Sequence, residues 1–290
     1  MSYLIGVDGG GTGCRVAIAD STGNVLARAE GGPANIATNF ETARTNILRT
    51  TSLAFINAGV PMPETAETTA VLGLAGSNLG DYSERLLASL PFTKARIVSD
   101  AETTLVGAIG KTDGIIGAIG TGSVYGRREN GVFTQLGGWG FMLGDDGSGA
   151  RLGRDMLHRA ILAYDGLIPH SPFTQDLIEE FNGSPLNLIE QAQSFTPKEF
   201  GHFAPRIVAA AKAGDENAEA ILARHTKIVQ QSLDAVGFTP AKAFCMLGGL
   251  GKIFLARLPE NYQQAASTPL GNALDGAVSL AHSLKIQPTS

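Results

Sequence analysis

The sequence predicts an α/β protein built from two lobes, and two observations carry this prediction. Short apolar runs of strand length alternate with longer segments of helical periodicity, a pattern typical of α/β folds with partly parallel strands. In addition, the opening order of strand, glycine turn and hairpin recurs from Lys111–Gly114 onward. This repetition of element order indicates two lobes of related design.

The first lobe begins with apolar runs that are separated by turn residues. Gly9–Gly13 and Ser21–Asn24 favour tight turns, so the runs beside them are predicted to be strands. Apolar residues recur at helical spacing between Glu41 and Ala58, and Gly59 and Pro61 end that helix. The elements predicted in order are strands 3–8, 14–20 and 25–29, helix 41–58, strand 71–75, helix 82–90, strand 95–98 and helix 101–109.

The second lobe repeats the strand pattern and then becomes mostly helical between residues 147 and 236. Its longest predicted helix, 215–236, carries Ile221, Leu222, Val229 and Leu233 on one broad face. The other predicted elements are strands 115–119, 124–127, 132–136 and 243–247 and a last helix at 271–284. We expect an N-terminal lobe of residues 1–112, completed by a C-terminal helix at about 273–290, and a second lobe of residues 113–272.

Composition narrows the classes of function. Of the 290 residues, 43% are hydrophobic, enough for a substantial core, and the net charge of -5 disfavours nucleic-acid and membrane-surface partners. We find no signal-peptide pattern and no apolar run near the roughly 20 residues of a membrane helix. Cys14 and Cys245 lie in apolar runs and are expected to be reduced core residues. These features predict a soluble, cytoplasmic protein without a zinc site.

The first candidate for chemistry is Asp8–Thr12, which follows a strand. Successive glycines leave backbone N–H groups free to face phosphate oxygens, and Thr12 adds a hydroxyl, while Asp8 is of the type that holds Mg²⁺ directly or through water. An ordinary hairpin turn is the alternative. Neither a P-loop nor a dinucleotide-binding G-x-G-x-x-G turn before a helix is present, so any ATP site has a different geometry.

A second glycine turn, Gly120–Ser123, also follows a strand. Alone it is equally compatible with a simple hairpin, but two donor-rich loops together are suited to gripping the β- and γ-phosphates of a nucleotide. If the two lobes are stacked, these turns are expected to face each other across a cleft.

Asp100 lies at the end of a predicted strand, where α/β sheets bind their ligands. There its carboxylate is able to accept the proton of a substrate hydroxyl that attacks a phosphoryl group. It is also placed to be the N-cap of the following helix, with Thr103 at position N3. The residues alone allow both roles, and we expect Asp100 to cap this helix.

The segment Leu136–Gly149 combines glycines, the single tryptophan and two acidic residues. Asp145 and Asp146 suit a helix start, which the helix dipole favours. A sugar pocket, however, needs a flat apolar surface beside carboxylates that accept hydroxyl hydrogen bonds, and Trp139 with Asp145 supplies both. Asn35 adds an amide that is able to bind in a bidentate manner.

These motifs, in this order, resemble the sugar kinases of the actin, hexokinase and Hsp70 ATPase superfamily, in particular the BadF/BadG/BcrA/BcrD ATPase family with its glucosamine and N-acetylglucosamine kinases. The resemblance implies two ribonuclease H-like lobes with a cleft between them. It also implies that Asp100 is the general base. The further implied roles are phosphate binding by Gly10, Gly11, Thr12 and Thr121, sugar binding by Asn35, Asp100, Ser123, Gly138, Trp139 and Asp145, and adenine-side contacts by Gly214, Gly248 and Gly249.

The activity that this resemblance implies is ATP- and Mg²⁺-dependent phosphorylation of the 6-hydroxyl of an amino sugar. Bacterial glucosamine kinases share the stretches Asp165–Pro172 and Phe200–Pro205, which favours glucosamine, whereas Gly138–Gly140 also occurs in N-acetylglucosamine kinases. The expected partners are the sugar and ATP. The assembly that we consider for the chain is a homodimer. Two alternatives have the same fold: an iron–sulfur activator of a 2-hydroxyacyl-CoA dehydratase or benzoyl-CoA reductase, and a sugar-responsive transcription factor. The acidic balance disfavours the latter.

Overall fold

A computed structural model of the chain describes residues 2–61, 68–92 and 94–286, so the predicted end of the last helix, residues 287–290, lies outside it. Each predicted strand and helix has a counterpart with closely similar bounds, and the α/β fold class is confirmed. The strands are β1 (Tyr3–Gly9), β2 (Cys14–Ala19), β3 (Val25–Gly31), β4 (Thr68–Leu74), β5 (Lys94–Ser99), β6 (Gly114–Ile119), β7 (Ser123–Glu129), β8 (Val132–Gly137) and β9 (Ala243–Leu247).

The helices differ widely in length and are concentrated after β8. They are α1 (Phe40–Asn57), α2 (Tyr82–Ser89), α3 (Asp100–Ile109), α4 (Gly149–Tyr164), α5 (Pro172–Glu180), α6 (Pro185–Ala192), α7 (Pro197–Gly201), α8 (Ala204–Lys212), α9 (Glu216–Ala235), α10 (Gly251–Leu255), α11 (Glu260–Ala265) and α12 (Ala273–Ile286). No helix among the described residues combines the length and apolar character needed to cross a bilayer.

The chain forms two compact units. The first comprises residues 1–114, 128–133 and 267–290, and the second comprises residues 115–127 and 134–266. The segment 128–133 belongs to the first unit because Arg128 binds the end of α3: its guanidinium donates to the carbonyl oxygens of Gly110 at 2.6 Å and Thr112 at 3.1 Å.

The first unit contains a five-stranded sheet of order β3-β2-β1-β4-β5. The neighbours β1–β2 and β2–β3 are antiparallel, whereas β1–β4 and β4–β5 are parallel. Hairpins join the antiparallel strands, while the parallel strands need helical crossovers such as α1 and α2. The parallel half of the sheet brings the carboxyl ends of β1, β4 and β5 to one edge.

Helices cover both faces of this sheet because the buried residues of its strands alternate between two cores. On β1, Ile5 contributes to the core beneath Ile47 of α1, and Leu4 contributes to the core beneath Val278 of α12. Helix α12 approaches the sheet closely: a Cβ on Gly6 would lie 2.7 Å from Cγ2 of Val278. The last helix of the chain thus completes the core begun by its first strand.

The second unit contains a sheet of order β8-β7-β6-β9, which repeats the order β3-β2-β1-β4 of the first sheet. Its core is the largest of the described chain and is formed mainly by α4, α5, α8 and α9 packed together with residues of β6 and β9. The repetition of element order that the sequence predicts therefore extends to the order of strands within the sheets.

The contact between α12 and α3 predicts a strong effect of a small substitution. A Cβ on Gly276 would overlap the carbonyl oxygen of Thr103, a backbone atom that no rotamer change can move. We expect Gly276→Ala to lower the free energy of unfolding by about 2–3 kcal/mol, as overpacking does. Urea unfolding followed by circular dichroism measures this change.

The matched control is Ser279→Ala on the same helix, at a half-buried position. This substitution should change the free energy of unfolding by less than about 0.5 kcal/mol. Equal stability of Gly276→Ala and Ser279→Ala would contradict the close packing of α12 on α3.

Candidate functional site

In the first unit, three chain segments meet at the carboxyl edge of the parallel strands. The amide of Ala75, after β4, donates to the carbonyl of Gly9 at 2.9 Å, and the amide of Ala34 donates to the carbonyl of Gly10 at 2.8 Å. The amide of Ile36 donates to the carbonyl of Ala75 at 3.2 Å. These bonds fix the loop after β1 beside Asn35.

Asp100 follows β5 at the same edge. In the registers of the parallel pairs, Gly9 lies opposite Leu74 and Leu74 lies opposite Ser99. Neighbouring strands are about 4.8 Å apart, so the ends of β1 and β5 are separated by about 10 Å. The fold thus brings the glycine loop, Asn35 and Asp100 into one neighbourhood, as the sequence predicts for a ligand site at strand ends.

The loop Gly10–Thr12 leaves space for a ligand. The amide of Gly10 is used, since it donates to the carbonyl of Gly13 at 2.9 Å, but a Cβ on Gly10 or Gly11 would meet no other atom within 4 Å. Gly11 and Thr12 are exposed. The open surface fits a phosphate group that approaches the backbone closely.

Asp8 is mostly buried below this loop, and its carboxylate forms an ion pair with Arg15 on the neighbouring strand β2. The side chain of Asp8 is 13% exposed, whereas that of Arg15 is 52% exposed. The arginine therefore fixes the orientation of the carboxylate. A carboxylate held in this way suits a Mg²⁺ ion that keeps its water shell, because such an ion is commonly bound through water.

The side-chain amide of Asn35 is partly used by hydrogen bonds within its own turn. Its Oδ1 accepts hydrogen bonds from the backbone amides of Ala37 at 3.0 Å and Thr38 at 3.1 Å. The carbonyl half of the amide is thus occupied within the turn, and these bonds leave the Nδ2 group unused. The bidentate contact expected from the sequence needs the same oxygen, which already accepts two amides.

The N-cap of α3 is Ser99, which corrects the prediction that Asp100 caps this helix. The hydroxyl of Ser99 accepts from the amide of Glu102 at 3.2 Å, and Asp100 is the first residue of the helix. The backbone carbonyl of Asp100 accepts the hydroxyls of Thr103 at 3.0 Å and Thr104 at 2.7 Å. Ser99, and not Asp100, therefore caps α3.

In the second unit, the loop after β6 organises a separate group of residues. The carbonyl of Ile119 accepts the amide of Leu250 at 3.1 Å, that of Gly120 accepts the amide of Gly149 at 2.8 Å, and that of Thr121 accepts the amide of Ala150 at 3.1 Å. The start of α4 and the exit of β9 are thereby fixed on either side of the loop.

Beside this loop lies a cavity of about 500 Å³. Gly120, Thr121, Gly149 and Gly249 belong to its lining. The apolar wall of the cavity consists of the other lining residues, which are apolar or small: Gly201, Ala204, Pro205, Val208, Leu250 and Ile253. The first residues of α4 and α8 belong to the lining, and helix N-termini favour anions.

The loop between β8 and α4 carries three of the residues predicted to bind a sugar, Gly138, Trp139 and Asp145. The carboxylate of Asp145 accepts the backbone amides of Ser123 and Gly140, and burial raises its pKa despite these hydrogen bonds. The amide of Gly138 donates to the carbonyl of Ser123 at 3.1 Å. Ser123, Gly138 and Asp145 are therefore in direct contact, and Trp139 beside them is 68% exposed, with its indole surface accessible to a ligand.

Known proteins resemble this chain over nearly all of its length. The sequence profile of the BadF/BadG/BcrA/BcrD ATPase family matches residues 5–278. The chain belongs to this family. It is 28% identical to a glucosamine kinase of Vibrio cholerae over 282 residues, which are 97% of this chain and 96% of that protein.

Solved structures extend the comparison to the fold of this family member. A Chromobacterium violaceum protein, provisionally named an N-acetylglucosamine kinase, is 32% identical, with a TM-score of 0.88 over 97% of this chain and 99% of that one. A glucokinase of the ROK family from Streptomyces griseus is 19% identical, with a TM-score of 0.56 over 96% of this chain and 99% of that one. The latter likeness concerns the fold, which is that of the actin and hexokinase ATPases.

Two glycines assigned to the adenine side by resemblance have different surroundings in this ATPase. Gly248 has a φ of 80°, and a Cβ there would overlap the carbonyl of Ile119, so the exit of β9 requires glycine. It directly precedes Gly249 in the cavity wall. Gly214, with a φ of 92°, lies in the turn between α8 and α9 and is not among the residues that line the cavity.

The two cysteines bear on the iron–sulfur alternative within the same family. Cys14 is 1% exposed and Cys245 is fully buried. Burial, with a smaller contribution from Asp8, raises the pKa of the Cys14 thiol to about 12. Iron–sulfur clusters are held by thiolates, and a cluster at a dimer interface needs them at the surface. Both cysteines are therefore core residues, as the sequence predicts.

Sequence reasoning missed the apolar wall of the cavity. The resemblance to bacterial glucosamine kinases includes Phe200–Pro205, but nothing in the sequence of this segment indicates what it contacts. The structure explains the position of Gly201: the ring of the preceding Phe200 stacks on Phe141 with centroids 5.2 Å apart, and the Phe200 carbonyl lies against Gly153 of α4. Gly201 is thereby held beside Thr121 in the cavity wall, since a Cβ on Gly201 would lie 3.6 Å from Cγ2 of Thr121.

Proposed function

We propose that this chain is a kinase that transfers the γ-phosphoryl group of ATP to the 6-hydroxyl of an amino sugar, with glucosamine as its acceptor. The observation that carries the proposal is the common edge of β1, β4 and β5, where an open glycine loop, Asn35 and the carboxylate residue Asp100 come together. This combination offers a loop that binds phosphate, an amide that binds a sugar hydroxyl, and a general base within one neighbourhood.

The proposed reaction needs little covalent chemistry from the protein. The sugar 6-oxygen forms a bond to the γ-phosphorus while the bond from that phosphorus to the β–γ bridging oxygen breaks, and ADP leaves. Asp100 accepts the proton of the 6-hydroxyl. Mg²⁺, when bound, neutralises charge on the phosphate oxygens. Asp8, oriented by Arg15, is the proposed residue for holding that ion through water.

The phosphate groups of the nucleotide are proposed to contact Gly10, Gly11, Thr12 and Thr121. Gly10, Gly11 and Thr12 offer an open backbone surface and a hydroxyl, and Thr121 offers an exposed hydroxyl at the rim of the cavity. The cavity beside Thr121 is proposed to hold the base and ribose, in contact with Gly249.

The sugar is proposed to contact Asn35, Ser123, Gly138, Trp139 and Asp145. Asp145 is suited to accept a sugar hydroxyl because its carboxylate is held by two backbone amides. The hydroxyl of Ser123 donates to the carbonyl of Asp146 at 2.8 Å, so Ser123 is proposed to act chiefly by fixing this loop. The exposed face of Trp139 suits the apolar face of a pyranose ring.

Glucosamine is preferred because the Vibrio cholerae relative, a glucosamine kinase, matches this chain over nearly the full length of both proteins. N-acetylglucosamine is the second candidate, since the Chromobacterium violaceum protein carries that provisional name at 32% identity. A homodimer and a cytoplasmic location stay predictions from the sequence.

A comparison of acceptor sugars tests the proposal. Initial rates of ADP release with glucosamine, N-acetylglucosamine, N-acetylmannosamine and glucose should give the highest kcat/KM for glucosamine. A higher kcat/KM for N-acetylglucosamine would select the second candidate. Turnover of glucosamine no faster than that of glucose would contradict the assignment to amino sugars.

Removing the proposed base should affect turnover and not folding. We expect Asp100→Asn to lower kcat by roughly 10²–10⁴-fold, the usual contribution of a general base, with an unchanged circular dichroism spectrum. The control Asp176→Asn, at an exposed position of α5, should retain kcat within about twofold, since surface changes away from a site have small effects. Near wild-type turnover of Asp100→Asn would refute the role of this residue.

The orientation of the Asn35 amide leads to a sharper test. Asn35→Asp keeps an oxygen for the amides of Ala37 and Thr38 but loses the Nδ2 donor, so stability should be preserved while KM for the sugar rises about tenfold, the value of one hydrogen bond. Asn39→Asp is the matched control, because Asn39 also uses Oδ1 to accept a backbone amide, that of Thr42 at 3.0 Å. An equal KM for the two variants would show that the Asn35 amide does not donate to the sugar.

A further inference from the structure

The cavity in the second unit has an unusual chemical character for a site that would select one nucleotide base. Among the described residues that line it, Thr121 is the only one whose side chain carries a hydrogen-bonding group. The other side chains of the lining are those of Ala204, Pro205, Val208, Leu250 and Ile253, and the remaining positions are glycines. The wall thus offers apolar surface without amide, carboxylate or guanidinium groups.

The backbone of the strand-end side is also largely used. The carbonyls of Gly120 and Thr121 accept the first two amides of α4, and the amide of Leu250 donates to the carbonyl of Ile119. The amide of Gly120 is itself bound to the carbonyl of Gly122 at 2.9 Å. These groups hold the loop in place through hydrogen bonds made within the protein. The cavity is open to solvent, so the polar edge of a bound base keeps its water.

From this lining we propose that the cavity binds the purine base through apolar contact alone and accepts guanine and hypoxanthine about as well as adenine. The inference rests on the proposed function, because it assumes that a nucleoside triphosphate is the phosphoryl donor. Its physical basis is that a pocket lined mainly by apolar side chains rejects isosteres weakly, whereas a pocket built to hydrogen-bond a substrate rejects the wrong one by about 10⁴–10⁵-fold.

The same lining assigns a role to the segment Phe200–Pro205. Gly201, Ala204 and Pro205 face the cavity, and Val208 follows one turn later on α8. The segment therefore contacts the nucleotide and not the C2 substituent of the sugar. Its side chains determine the affinity for the base without determining which base is bound.

The first experiment compares phosphoryl donors under a readout that does not depend on the base. Sugar phosphate formed from ATP, GTP and ITP is quantified by phosphorus NMR, and the values of kcat/KM should agree within about tenfold. A preference for ATP of about 100-fold or more would overturn the proposal.

Binding measurements separate this inference from the proposed function. Calorimetric titration with ADP, GDP and IDP, each with Mg²⁺, should give dissociation constants within about tenfold of each other, whether or not any sugar is phosphorylated. If the diphosphates bind equally and no sugar is phosphorylated, the proposed function fails and the inference stands. If no diphosphate binds, or ADP binds about 100-fold more tightly than GDP, the inference fails.

A pair of variants tests the assignment of the cavity to the nucleotide. Val208→Phe fills part of the cavity and should raise the dissociation constants of ADP and GDP alike by about tenfold, while KM for the sugar stays within about twofold. Ala209→Phe, at the adjacent exposed position that does not line the cavity, is the control and should change neither. Unchanged diphosphate binding in Val208→Phe would place the base elsewhere and overturn the proposal.

Discussion

Three consecutive carbonyl groups at the end of β6 hold the second unit's site together. Ile119, Gly120 and Thr121 each accept a backbone amide from a segment distant in sequence, namely the exit of β9 and the start of α4. Buried carbonyls need such partners, and here the partners are supplied by the elements that form the cavity. The position of α4 relative to the loop, and with it the N-terminus of that helix, depends on these bonds.

The first unit uses the same arrangement at the end of β1. The carbonyls of Gly9 and Gly10 accept amides from the segments after β4 and before Asn35. Only Gly9 is required by close packing, since a Cβ there would lie 2.7 Å from Cδ2 of Leu74, whereas a Cβ on Gly10, Gly11 or Gly120 would meet no atom within 4 Å. Each glycine loop therefore has two functions: it leaves a surface open to a ligand, and it connects the segments that carry the neighbouring polar side chains.

Much of the fold could be predicted from the sequence, because the apolar runs and turn residues that define the elements are local features. The roles of single side chains depend on details that the sequence leaves open. Ser99 and Asp100 are both good N-caps, and only the backbone at the end of β5 decides between them. Likewise, the pattern around Asn35 predicts a polar contact, but which end of the amide remains available is decided by the turn that binds its oxygen. The cavity wall was not predictable, because glycine, alanine, proline and valine at the start of a helix have no distinctive pattern.

The packing of α12 has a consequence for how the protein is made. Its contacts with β1 and α3 join residues from the two ends of the described chain, and the whole second unit lies between them in sequence. During synthesis, the apolar face of the first sheet that includes Leu4, Ala17 and Val71 stays uncovered until α12 emerges from the ribosome. We therefore expect the first unit, although translated first, to complete its folding last.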